Sequence, residues 1–371
     1  MNIAFDAKRA FHNPRGLGNY SRNTIRVLGT YFPENNYLLF NPKYNHTINF
    51  EIPDTATEHL PNSFMGKAFP SLWRSAGMCR QIKQHQVDVY HGLSQELPLG
   101  INKTGAAAVV TMHDAIFMRF PELYKSTYRS VFIPKNRYAC KTADKIIAVS
   151  EQTKRDVMTY FDADEQKIEV VYQGCNNIFR EKISCDTKTN IELKYNLPKH
   201  FMLFVGAIES RKNIAIIMEA MRSKQVYQPL VIIGNQTEYK QELMHRIDKY
   251  GLTNRVFFLH HVQTHELPAI YALSKIFIYP SIFEGFGIPV LEALCVGTPV
   301  ITAKGSCLEE AGGPYSKYFD PYNAEELVEH IQRIDNDVET RNQMITQGLL
   351  YADNFSDEKI ATKLMQVYTN I

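Results

Sequence analysis

The chain has no excess of charge of either sign, and this excludes a large class of partners. Among its 371 residues, 41 Lys and Arg stand against 39 Asp and Glu, so the formal net charge is +2. A protein that binds nucleic acid usually carries a basic domain or a basic stripe, and these counts show no such excess. We therefore expect no nucleic-acid partner, although a local basic patch is compatible with the composition.

Cysteine is scarce, and its spacing matches no metal site. The chain has six cysteines, none of them in a Cys-x-x-Cys pair, and no group of histidines completes a zinc pattern. Cysteines of this kind are typical of reduced thiols in a cytosolic protein. The six positions are Cys79, Cys140, Cys175, Cys185, Cys295 and Cys307.

Long apolar runs are absent as well. No run reaches the ~18 residues that a membrane-spanning helix needs. The first residues, Met1 to Ala7, show no basic segment followed by an apolar one, which is the pattern of a signal peptide. We expect a cytoplasmic protein, and peripheral contact with the cytoplasmic face of the inner membrane stays open.

The chain does contain a regular alternation of short apolar runs with segments of helical period, such as Tyr20 to Leu28 and Gln236 to Tyr250. This alternation predicts an α/β protein with parallel sheets covered by helices on both faces. The predicted strands are Ile3–Ala7, Tyr37–Phe40, Val87–His91, Ala107–Met112, Lys145–Val149, Phe201–Val205, Leu230–Ile233, Val256–Leu259, Ile276–Tyr279 and Pro299–Thr302.

The predicted strands fall into two sets, separated by the polar segment from Arg180 to Lys199. We place a linker in this segment, with a Rossmann-like half on either side of it. Open parallel sheets bind their ligands at the carboxyl ends of the strands. The loops that follow the strands should therefore line a cleft between the halves, and the candidate motifs lie in those loops.

Two loops in the first half carry candidate binding residues. Gly16 and Gly18 follow the first strand and precede a helix that we expect after Tyr20, an arrangement that lets backbone N–H groups approach a phosphate. The third glycine of a dinucleotide fingerprint is missing, which disfavours a nicotinamide enzyme, and a tight turn is the alternative interpretation. His113 ends another strand and could donate to a sugar or phosphate oxygen; packing under a loop is its alternative.

Two loops in the second half carry charge. Gly206 ends a strand, and the adjacent cations Arg211 and Lys212 follow at a helix start, where cations are unfavourable unless an anion is near. Together they suit a diphosphate, although solvated charges are the alternative. A later strand leads into the segment from Phe283 to Glu292, which holds two glycines and two glutamates.

Glu284 and Glu292 are the strongest signal in the sequence. Glu284 lies in the glycine loop, and we expect Glu292 to lie ionised near the N-terminus of the helix that follows. Carboxylates only accept hydrogen bonds, which suits ribose and sugar hydroxyls. A pair of helix-capping residues is the alternative, but glycines beside Phe283 and Phe286 are costly without a ligand.

At these motifs the sequence resembles the retaining glycosyltransferases of family 4, which have the GT-B fold, and the resemblance covers nearly the whole chain. Glu284 and Glu292 look like the family's pair of glutamates separated by seven residues. The segment from Val205 to Asn213 is similar to its diphosphate-binding loop, and the segment from Arg15 to Tyr20 to its glycine loop. One departure is Ala207, where many members carry arginine.

The resemblance implies two Rossmann-like, doubly wound parallel-sheet domains that face each other across a cleft. Residues 1–180 would form the acceptor-binding domain and residues 181–355 the nucleotide-sugar-binding domain. Residues 356–371 would form a C-terminal helix that crosses back to the N-terminal domain.

The resemblance also implies roles for single residues. Glu284 and His113 would act on the transferred sugar, and Arg211 and Lys212 would neutralise the leaving diphosphate; these four are the predicted catalytic residues. We expect no metal, because cations and helix N-termini can stabilise that diphosphate. The predicted donor-binding residues are Gly16, Gly18, Gly206, Arg211, Lys212, Phe286, Gly287, Ile288 and Glu292, with Glu292 on the ribose hydroxyls.

The function implied is transfer of a hexose, with mannose favoured, from a nucleotide diphosphate sugar such as GDP-mannose. The acceptor would be a glycan or a polyprenyl-linked glycan in the biosynthesis of a surface polysaccharide such as lipopolysaccharide, and no cofactor is needed beyond the donor. Two alternatives stay open: a sugar-nucleotide epimerase of the same fold, and a non-catalytic partner protein that binds nucleotide sugars. The sequence leaves the oligomeric state open.

One segment of the first half has two interpretations. The stretch from Phe64 to Lys83 mixes aromatic residues with cations and holds the only tryptophan, Trp73. It could lie on a membrane surface near a lipid-linked acceptor. It could also be an ordinary helix that packs through Trp73 and Leu72.

Overall fold

The computed structural model describes residues 1–44, 48, 50–235 and 237–371, and the chain divides into two compact units. Unit 1 comprises residues 1–174 and 355–371, and unit 2 comprises residues 175–354. The sequence places the boundary at 180/181, in a segment predicted to be a linker. That linker prediction is wrong, because residues 185–195 of the segment form a helix within unit 2.

Within the described residues, unit 1 is built on a seven-stranded parallel sheet with the order β3-β2-β1-β4-β5-β6-β7. Its central strands are the apolar runs predicted from the sequence, and β3 and β7 at the two edges were not predicted. The strands are β1 (Asn2–Asp6), β2 (Asn36–Phe40), β3 (Ala56–His59), β4 (Val89–Gly92), β5 (Ala107–Met112), β6 (Lys145–Ala148) and β7 (Ile168–Val170).

Both faces of this sheet are buried, as a parallel sheet requires. Alternate residues of β1 show the division: Ala4 belongs to the apolar core on one face, whereas Ile3 and Phe5 belong to the core on the other. The covering helices are α1 (Lys8–His12), α2 (Gly16–Tyr31), α3 (Phe64–Ala68), α4 (Pro70–Leu72), α5 (Met78–Gln84), α6 (Ile116–Arg119), α7 (Ser126–Thr142) and α8 (Glu151–Phe161). A π-helical turn, Trp73–Gly77, joins α4 to α5.

Unit 2 has a parallel sheet of its own, with six strands in the part that the structure describes and the order β10-β9-β8-β11-β12-β13. The edge strand β13 was not predicted, whereas the other strands match the predicted runs. The strands are β8 (Met202–Val205), β9 (Leu230–Ile233), β10 (Val256–Leu259), β11 (Ile276–Tyr279), β12 (Val300–Ala303) and β13 (Lys317–Phe319).

The helices of unit 2 begin and end where local signals place them. The helix that carries Glu292 has Pro289 in its first turn and ends at Val296, where Gly297 takes the left-handed conformation at φ 81°. Gln236, the first residue of one predicted helical stretch, lies outside the described residues. The helices are α9 (Cys185–Tyr195), α10 (Ile214–Ala220), α11 (Tyr239–Tyr250), α12 (Leu267–Leu273), α13 (Ile288–Val296), α14 (Leu308–Gly312), α15 (Ala324–Asn336) and α16 (Val338–Ala352).

The last helix, α17 (Asp357–Thr369), returns to unit 1 as predicted. Its buried face, which includes Leu364, joins the core that α2 and β1 share. Asp357 forms an ion pair with Arg26 of α2 at 2.5 Å. Near its other end, the Tyr368 hydroxyl lies 2.6 Å from Nδ1 of the buried His91, so polar contacts hold the helix at both ends.

Candidate functional site

The two charged loops of unit 2 lie side by side because their strands are neighbours. Strand β8 pairs with β11 in parallel, so both strands end at the same edge of the sheet. Gly206 follows β8, and a short 3-10 turn, Ser210–Lys212, comes after it. The segment from Pro280 to Gly287 follows β11. Topology therefore brings together motifs that are more than 70 residues apart in the sequence.

Glu284 is the centre of this site. Its Oε1 lies 2.5 Å from Lys212 Nζ and 3.0 Å from Arg211 Nη1, and it accepts a hydrogen bond of 2.5 Å from Ser281 Oγ. Burial alone would raise the pKa of this carboxyl, but Lys212 and Arg211 lower it to about 2. Glu284 is therefore ionised at neutral pH and is paired with both predicted cations.

The second carboxylate oxygen of Glu284 has a different environment. Oε2 accepts no hydrogen bond from any described residue, and 12% of the side chain is exposed. Arg211 and Lys212 are held around the other oxygen, with side-chain exposures of 14% and 10%. The cluster thus has two cations, one carboxylate and one free acceptor oxygen.

Tyr279 and Ser281 complete the cluster, and sequence reasoning missed both. The Tyr279 hydroxyl accepts a hydrogen bond of 2.7 Å from Lys212 Nζ and donates one of 3.2 Å to Glu284. Both residues lie at the carboxyl end of β11, directly before the predicted motif. Position at a strand end was the signal that could have identified them.

The cations themselves are anchored by the loop that they face. Arg211 donates through Nη1 to the backbone carbonyl of Phe283. Burial lowers the pKa of Arg211, but the negative charge of Glu284 outweighs this effect and raises it. A second ion pair joins Arg211 to Glu209 at 3.7 Å, but Glu209 is 47% exposed. The sequence predicted an anion beside these two cations, and in the structure Glu284 is that anion.

Glu292 lies on α13, and its environment corrects the expectation that it is ionised. It is beyond the first helical turn, where the helix dipole acts only weakly. Burial raises the pKa of its carboxyl to about 7, and the Tyr271 hydroxyl, which donates to Oε2 at 3.0 Å, only partly opposes this. No described cation lies within ion-pair distance, so protonated and ionised forms coexist near neutral pH.

The loop that joins Glu284 to α13 is tightly held. Gly287 has φ 134°, and a Cβ at this position would lie 2.9 Å from Leu308 and 3.1 Å from Ala311. Sγ of Cys307 lies 3.1 and 2.9 Å from the carbonyl oxygens of Glu284 and Phe286, and its single S–H is shared between them. Phe286 is buried, whereas Ile288 begins α13 half-buried. Cys307 therefore shapes the motif, and all six cysteines are free thiols.

The glycine loop of unit 1 differs from its predicted form. Helix α2 already begins at Gly16, so both glycines lie in its first turn rather than in a loop that ends at Tyr20. A Cβ on Gly18 would lie 1.7 Å from the carbonyl oxygen of Asn13, whereas a Cβ on Gly16 would have no atom within 4 Å. Close packing is the reason for glycine at 18, and phosphate binding by this turn stays a prediction.

His113 is buried with both ring nitrogens occupied. Nε2 lies 2.8 Å from the carbonyl oxygen of Leu93 and must donate to it, so Nδ1 is the acceptor for the Gln173 amide at 3.3 Å. Burial lowers the pKa of His113 to about 4. The neutral ring packs edge-on against Tyr20, with the ring centres 4.6 Å apart. A contact with the sugar would require one of these hydrogen bonds to be exchanged.

Two Asp-x-Asp triplets occur outside these loops, and their carboxylates are used locally. Asp162 ends α8, and Asp164 caps the following turn through the Gln166 N–H at 3.0 Å. Asp335 accepts from Lys275 and Tyr227, and Asp337 caps α16. The expected metal independence is thus a prediction that rests on the cations of unit 2.

The segment from Phe64 to Lys83 in unit 1 forms short helices rather than one. Trp73 is buried at 4% exposure and donates from Nε1 to Gln81 at 2.8 Å, which agrees with packing through this residue. Leu72 does not pack, because 66% of it is exposed. Phe64 is 84% exposed and Met65 63%. The segment therefore presents an apolar surface, which we call the α3–α4 surface: Phe64, Met65, Phe69 and Leu72.

No helix in the described ranges is both long enough and apolar enough to cross a bilayer.

Known families cover most of this chain. A model described as Glycosyltransferase Family 4 matches residues 34–177, and one described as Glycosyl transferases group 1 matches residues 187–366. With two parallel-sheet units, these matches define a glycosyltransferase of the GT-B type. Residues 34–177 thus carry a domain of the family 4 type, and residues 187–366 carry a domain of the group 1 type.

Curated relatives are similar at modest identity. O-antigen chain mannosyltransferase B of Escherichia coli is 27% identical over 302 residues, 80% of this chain and 77% of that protein. O-antigen chain mannosyltransferase RfbU of Salmonella typhimurium is 27% identical over 268 residues, 68% of this chain and 70% of that one. The serotype-specific mannosyltransferase WbdA of Escherichia coli is 25% identical over 273 residues, 71% of this chain but 33% of WbdA.

Solved structures share the fold. Anabaena Alr3699/HepE, crystallised with UDP and glucose, superposes with a TM-score of 0.76 at 18% identity, over 100% of both chains. WaaG, a glycosyltransferase involved in lipopolysaccharide biosynthesis, gives a TM-score of 0.72 at 14% identity, again over 100% of both chains.

Proposed function

We propose that the chain is a retaining glycosyltransferase that moves mannose from a nucleotide diphosphate sugar, GDP-mannose, to a glycan or lipid-linked acceptor in surface polysaccharide biosynthesis. The names of two relatives support the sugar and the process, since the proteins matched over 77% and 70% of their length are named O-antigen chain mannosyltransferases. The UDP and glucose bound to the Anabaena protein support a nucleotide sugar as the donor.

The observation that carries the proposal is the Glu284 cluster. Arg211 and Lys212 bring two positive charges to one buried carboxylate, 3.0 and 2.5 Å away. The surplus positive charge suits a diphosphate, which gains negative charge as it leaves. The free Oε2 of Glu284 can accept a hydrogen bond from a hydroxyl of the transferred sugar.

The reaction needs no protein nucleophile. The bond from the sugar anomeric carbon to the donor phosphate oxygen breaks, and the bond from the acceptor oxygen to that carbon forms on the same face. The acceptor hydroxyl gives its proton to the departing phosphate oxygen, so atoms and charges balance. Arg211 and Lys212 stabilise the diphosphate by charge that is already in place before the reaction.

Further residues have proposed roles in donor binding. Glu292 would accept hydrogen bonds from the ribose hydroxyls, which favours its ionised form. The first turn of α2, with Gly16 and Gly18, would point backbone N–H groups at the phosphates. Gly206, Gly287, Phe286 and Ile288 would shape the pocket, and His113 would orient the sugar. We propose no metal or other cofactor.

A donor panel followed by a transfer assay tests the proposal. Binding to the folded chain raises its melting temperature, so one class among GDP-, UDP- and ADP-sugars should stabilise the protein, with GDP-mannose expected. Transfer to a mannose-terminated oligosaccharide should then release GDP and keep the anomeric configuration of the donor, as judged by NMR. Epimerised donor would indicate the epimerase, and binding without turnover the non-catalytic partner.

We also propose that the α3–α4 surface contacts a membrane at the cytoplasmic face. The segment from Phe64 to Lys83 also carries three exposed cations, Lys67, Arg80 and Lys83, and a combination of exposed apolar and basic residues favours anionic lipid surfaces. The chain should co-sediment with vesicles that contain phosphatidylglycerol better than with pure phosphatidylcholine vesicles.

The matched variants for this test change one exposed leucine each. Leu72→Ser should reduce co-sedimentation severalfold, whereas Leu193→Ser, at a leucine of α9 that is 75% exposed, should not. Equal sedimentation of all three proteins would remove the membrane proposal and leave the transferase proposal intact.

A further inference from the structure

A hydrogen-bonded network crosses the core of unit 1, and the Glu284 cluster does not use it. It starts at Tyr368 of α17, whose hydroxyl lies 2.6 Å from Nδ1 of His91 on β4. Nε2 of His91 lies 2.7 Å from Oγ1 of Thr111 on β5, and this oxygen lies 2.9 Å from the Tyr20 hydroxyl on α2. We call these four residues the Tyr368–Tyr20 network.

His91 needs both of its neighbours in the network. The ring is fully buried, and burial, with a smaller effect from His113, lowers the pKa of His91 to about 3. The neutral ring has one donor and one acceptor nitrogen, and the hydroxyls of Tyr368 and Thr111 can take either role. Loss of either hydroxyl would leave a buried nitrogen without a partner, which costs free energy.

A polar network in this position favours one arrangement of the elements that it joins. The residues of the surrounding core, such as Phe5, Val109 and Leu364, are apolar and buried. Apolar side chains of the same size would fill this core without any hydrogen bonds, whereas a fully satisfied buried network fixes a single packing arrangement. The network therefore fixes α2 and α17 against β4 and β5.

At its α2 end, the network fixes the ring of Tyr20, and that ring packs on His113. The two rings are nearly perpendicular, at 89°, with their centres 4.6 Å apart. Thr24 also bonds to the Tyr20 hydroxyl, but it lies on α2 itself and moves with Tyr20. Thr111 is thus the contact that fixes Tyr20 relative to β5, the strand that leads into His113.

The Tyr20 ring restrains His113 in a way that its own hydrogen bonds do not. Nε2 donates to the Leu93 carbonyl at 2.8 Å, and Nδ1 accepts from Gln173 at the longer distance of 3.3 Å. A sugar hydroxyl that binds His113 would replace the longer bond, since Nδ1 is the acceptor nitrogen. The Leu93 bond alone would let the ring turn about it, and the perpendicular Tyr20 ring blocks this rotation.

We infer that the Tyr368–Tyr20 network positions His113 for the transferred sugar. The inference rests on the proposed function, because a role of His113 in transfer is part of that proposal. The network acts through the orientation of one ring, so its effect on turnover must depend on His113. A residue that only stabilises the fold would lower activity whether or not His113 is present.

Loss of one hydroxyl at constant shape tests the network. Tyr368→Phe and Thr111→Val should each lower kcat about tenfold, because a misplaced group loses its orientation, while donor affinity from isothermal titration changes little. The matched control is Tyr37→Phe, which removes a hydroxyl bonded to the Leu28 and Phe32 carbonyls in the same apolar core but outside the network. Its kcat should stay close to that of the unaltered enzyme.

A double-mutant cycle with His113→Ala separates positioning from stability. In that background Tyr368→Phe should have no further effect on kcat, because the ring that the network positions is gone. A loss of the same size in the His113→Ala background would overturn the inference. Unchanged kcat in both Tyr368→Phe and Thr111→Val would do so as well.

NMR of the imidazole nitrogens, on ligand-free protein with isotope-labelled histidine, separates this inference from the proposed function. The His113 signals, identified by their absence in His113→Ala, should show a neutral ring with its proton on Nε2. They should shift or broaden in Tyr368→Phe and Thr111→Val but not in Tyr37→Phe. Unchanged signals in the first two variants would overturn the inference. The expected spectra from a chain that transfers no sugar would support the network and refute the proposed transferase.

Discussion

Each unit has an ion-pair cluster of arginine, lysine and carboxylate side chains, and the two clusters combine these groups in different proportions. In unit 2, Arg211 and Lys212 share one buried carboxylate, Glu284, which leaves one positive charge in surplus among the buried groups; Glu209, 3.7 Å from Arg211, is 47% exposed. In unit 1 the sharing is reversed, because the single guanidinium of Arg74 pairs with two carboxylates, Asp6 and Glu96. The six side chains other than Glu209 are all at most 14% exposed, so solvent screens their charges little, whereas Lys135, which also pairs with Glu96, is 42% exposed. Two cations that share one carboxylate suit an anionic leaving group, whereas one cation shared by two carboxylates does not.

Glu292 adds a third arrangement to this comparison. It has a hydroxyl partner, Tyr271, and no described cation at ion-pair distance. Its pKa is about 7, whereas that of Glu284 in the same motif is about 2. Two glutamates separated by seven residues thus differ in charge state because their partners differ, and this difference can be measured.

Removing the surplus charge of unit 2 should have the largest effect. Lys212→Met leaves Arg211 and Glu284 as a balanced pair, and turnover should fall roughly 100- to 1,000-fold, as expected when a preorganised charge contact is lost. The measurement is GDP release at saturating donor and acceptor. The control, Lys249→Met, removes an exposed lysine of α11 and should change turnover little. Activity that stays within threefold of the unaltered enzyme would refute the role of Lys212.

The pKa of Glu292 predicts how donor affinity depends on pH. If the ribose hydroxyls bind the ionised carboxylate, a proton must leave below pH 7, so donor affinity should be about 100-fold weaker at pH 5 than at pH 8. Isothermal titration with the nucleotide sugar measures this, since its diphosphate does not titrate in that range.

Glu292→Gln is the variant that isolates this effect. The amide does not titrate, so the affinity should be weaker at pH 8 and nearly constant down to pH 5. A pH profile of the variant that parallels that of the unaltered chain would assign the titration to another group.

The central strands could be predicted from the sequence, and the edge strands could not. Buried strands such as β8 and β11 are continuous apolar runs, because both of their faces are covered. The unpredicted strands β3, β7 and β13 lie at sheet edges and are partly exposed, so their sequences carry polar residues. Strand β10 is also at an edge but reads Val-Phe-Phe-Leu, and it was predicted.

Helix α9 escaped prediction for a related reason. Only Ile191 is buried among its residues, so the helix has no apolar stripe that a periodicity search could find. Its signals are local: Ser184 caps its start through the Thr187 N–H, and Asn196 ends it in the left-handed conformation. A polar helix of this kind is easily mistaken for a linker.

The candidate site was predicted as a set of residues but not as a set of contacts. Two adjacent cations at a helix start and a glutamate in a glycine loop, each following a strand, were enough to select Arg211, Lys212 and Glu284. That Arg211 and Lys212 pair with Glu284 depends on the order of β8 and β11 in the sheet. The charge state of Glu292 depends on burial and on Tyr271 from another helix, which no local pattern contains.

The smallest predicted effect is on the stability of the free chain, and its sign follows from the Glu292 pKa. The pKa is raised from its ordinary value of 4.5 to about 7, so the folded state binds the proton more tightly than the unfolded state. The resulting stability is complete below about pH 4.5 and is lost as pH rises toward 7. Glu292→Gln removes this loss. The melting temperature of the variant minus that of the unaltered chain should therefore be a few degrees larger at pH 8 than at pH 5.

Differential scanning calorimetry at the two pH values, without nucleotide, makes this measurement. Glu329→Gln, at an exposed position of α15, is the matched control and should show no such change. The same Glu292 substitution would then stabilise the free chain at pH 8 and lower its affinity for the donor. That combination is expected of a carboxylate that serves binding, because its remaining hydrogen-bond donors come from the ligand and not from the protein. If the variant were destabilised equally at both pH values, Glu292 would be a packing residue instead.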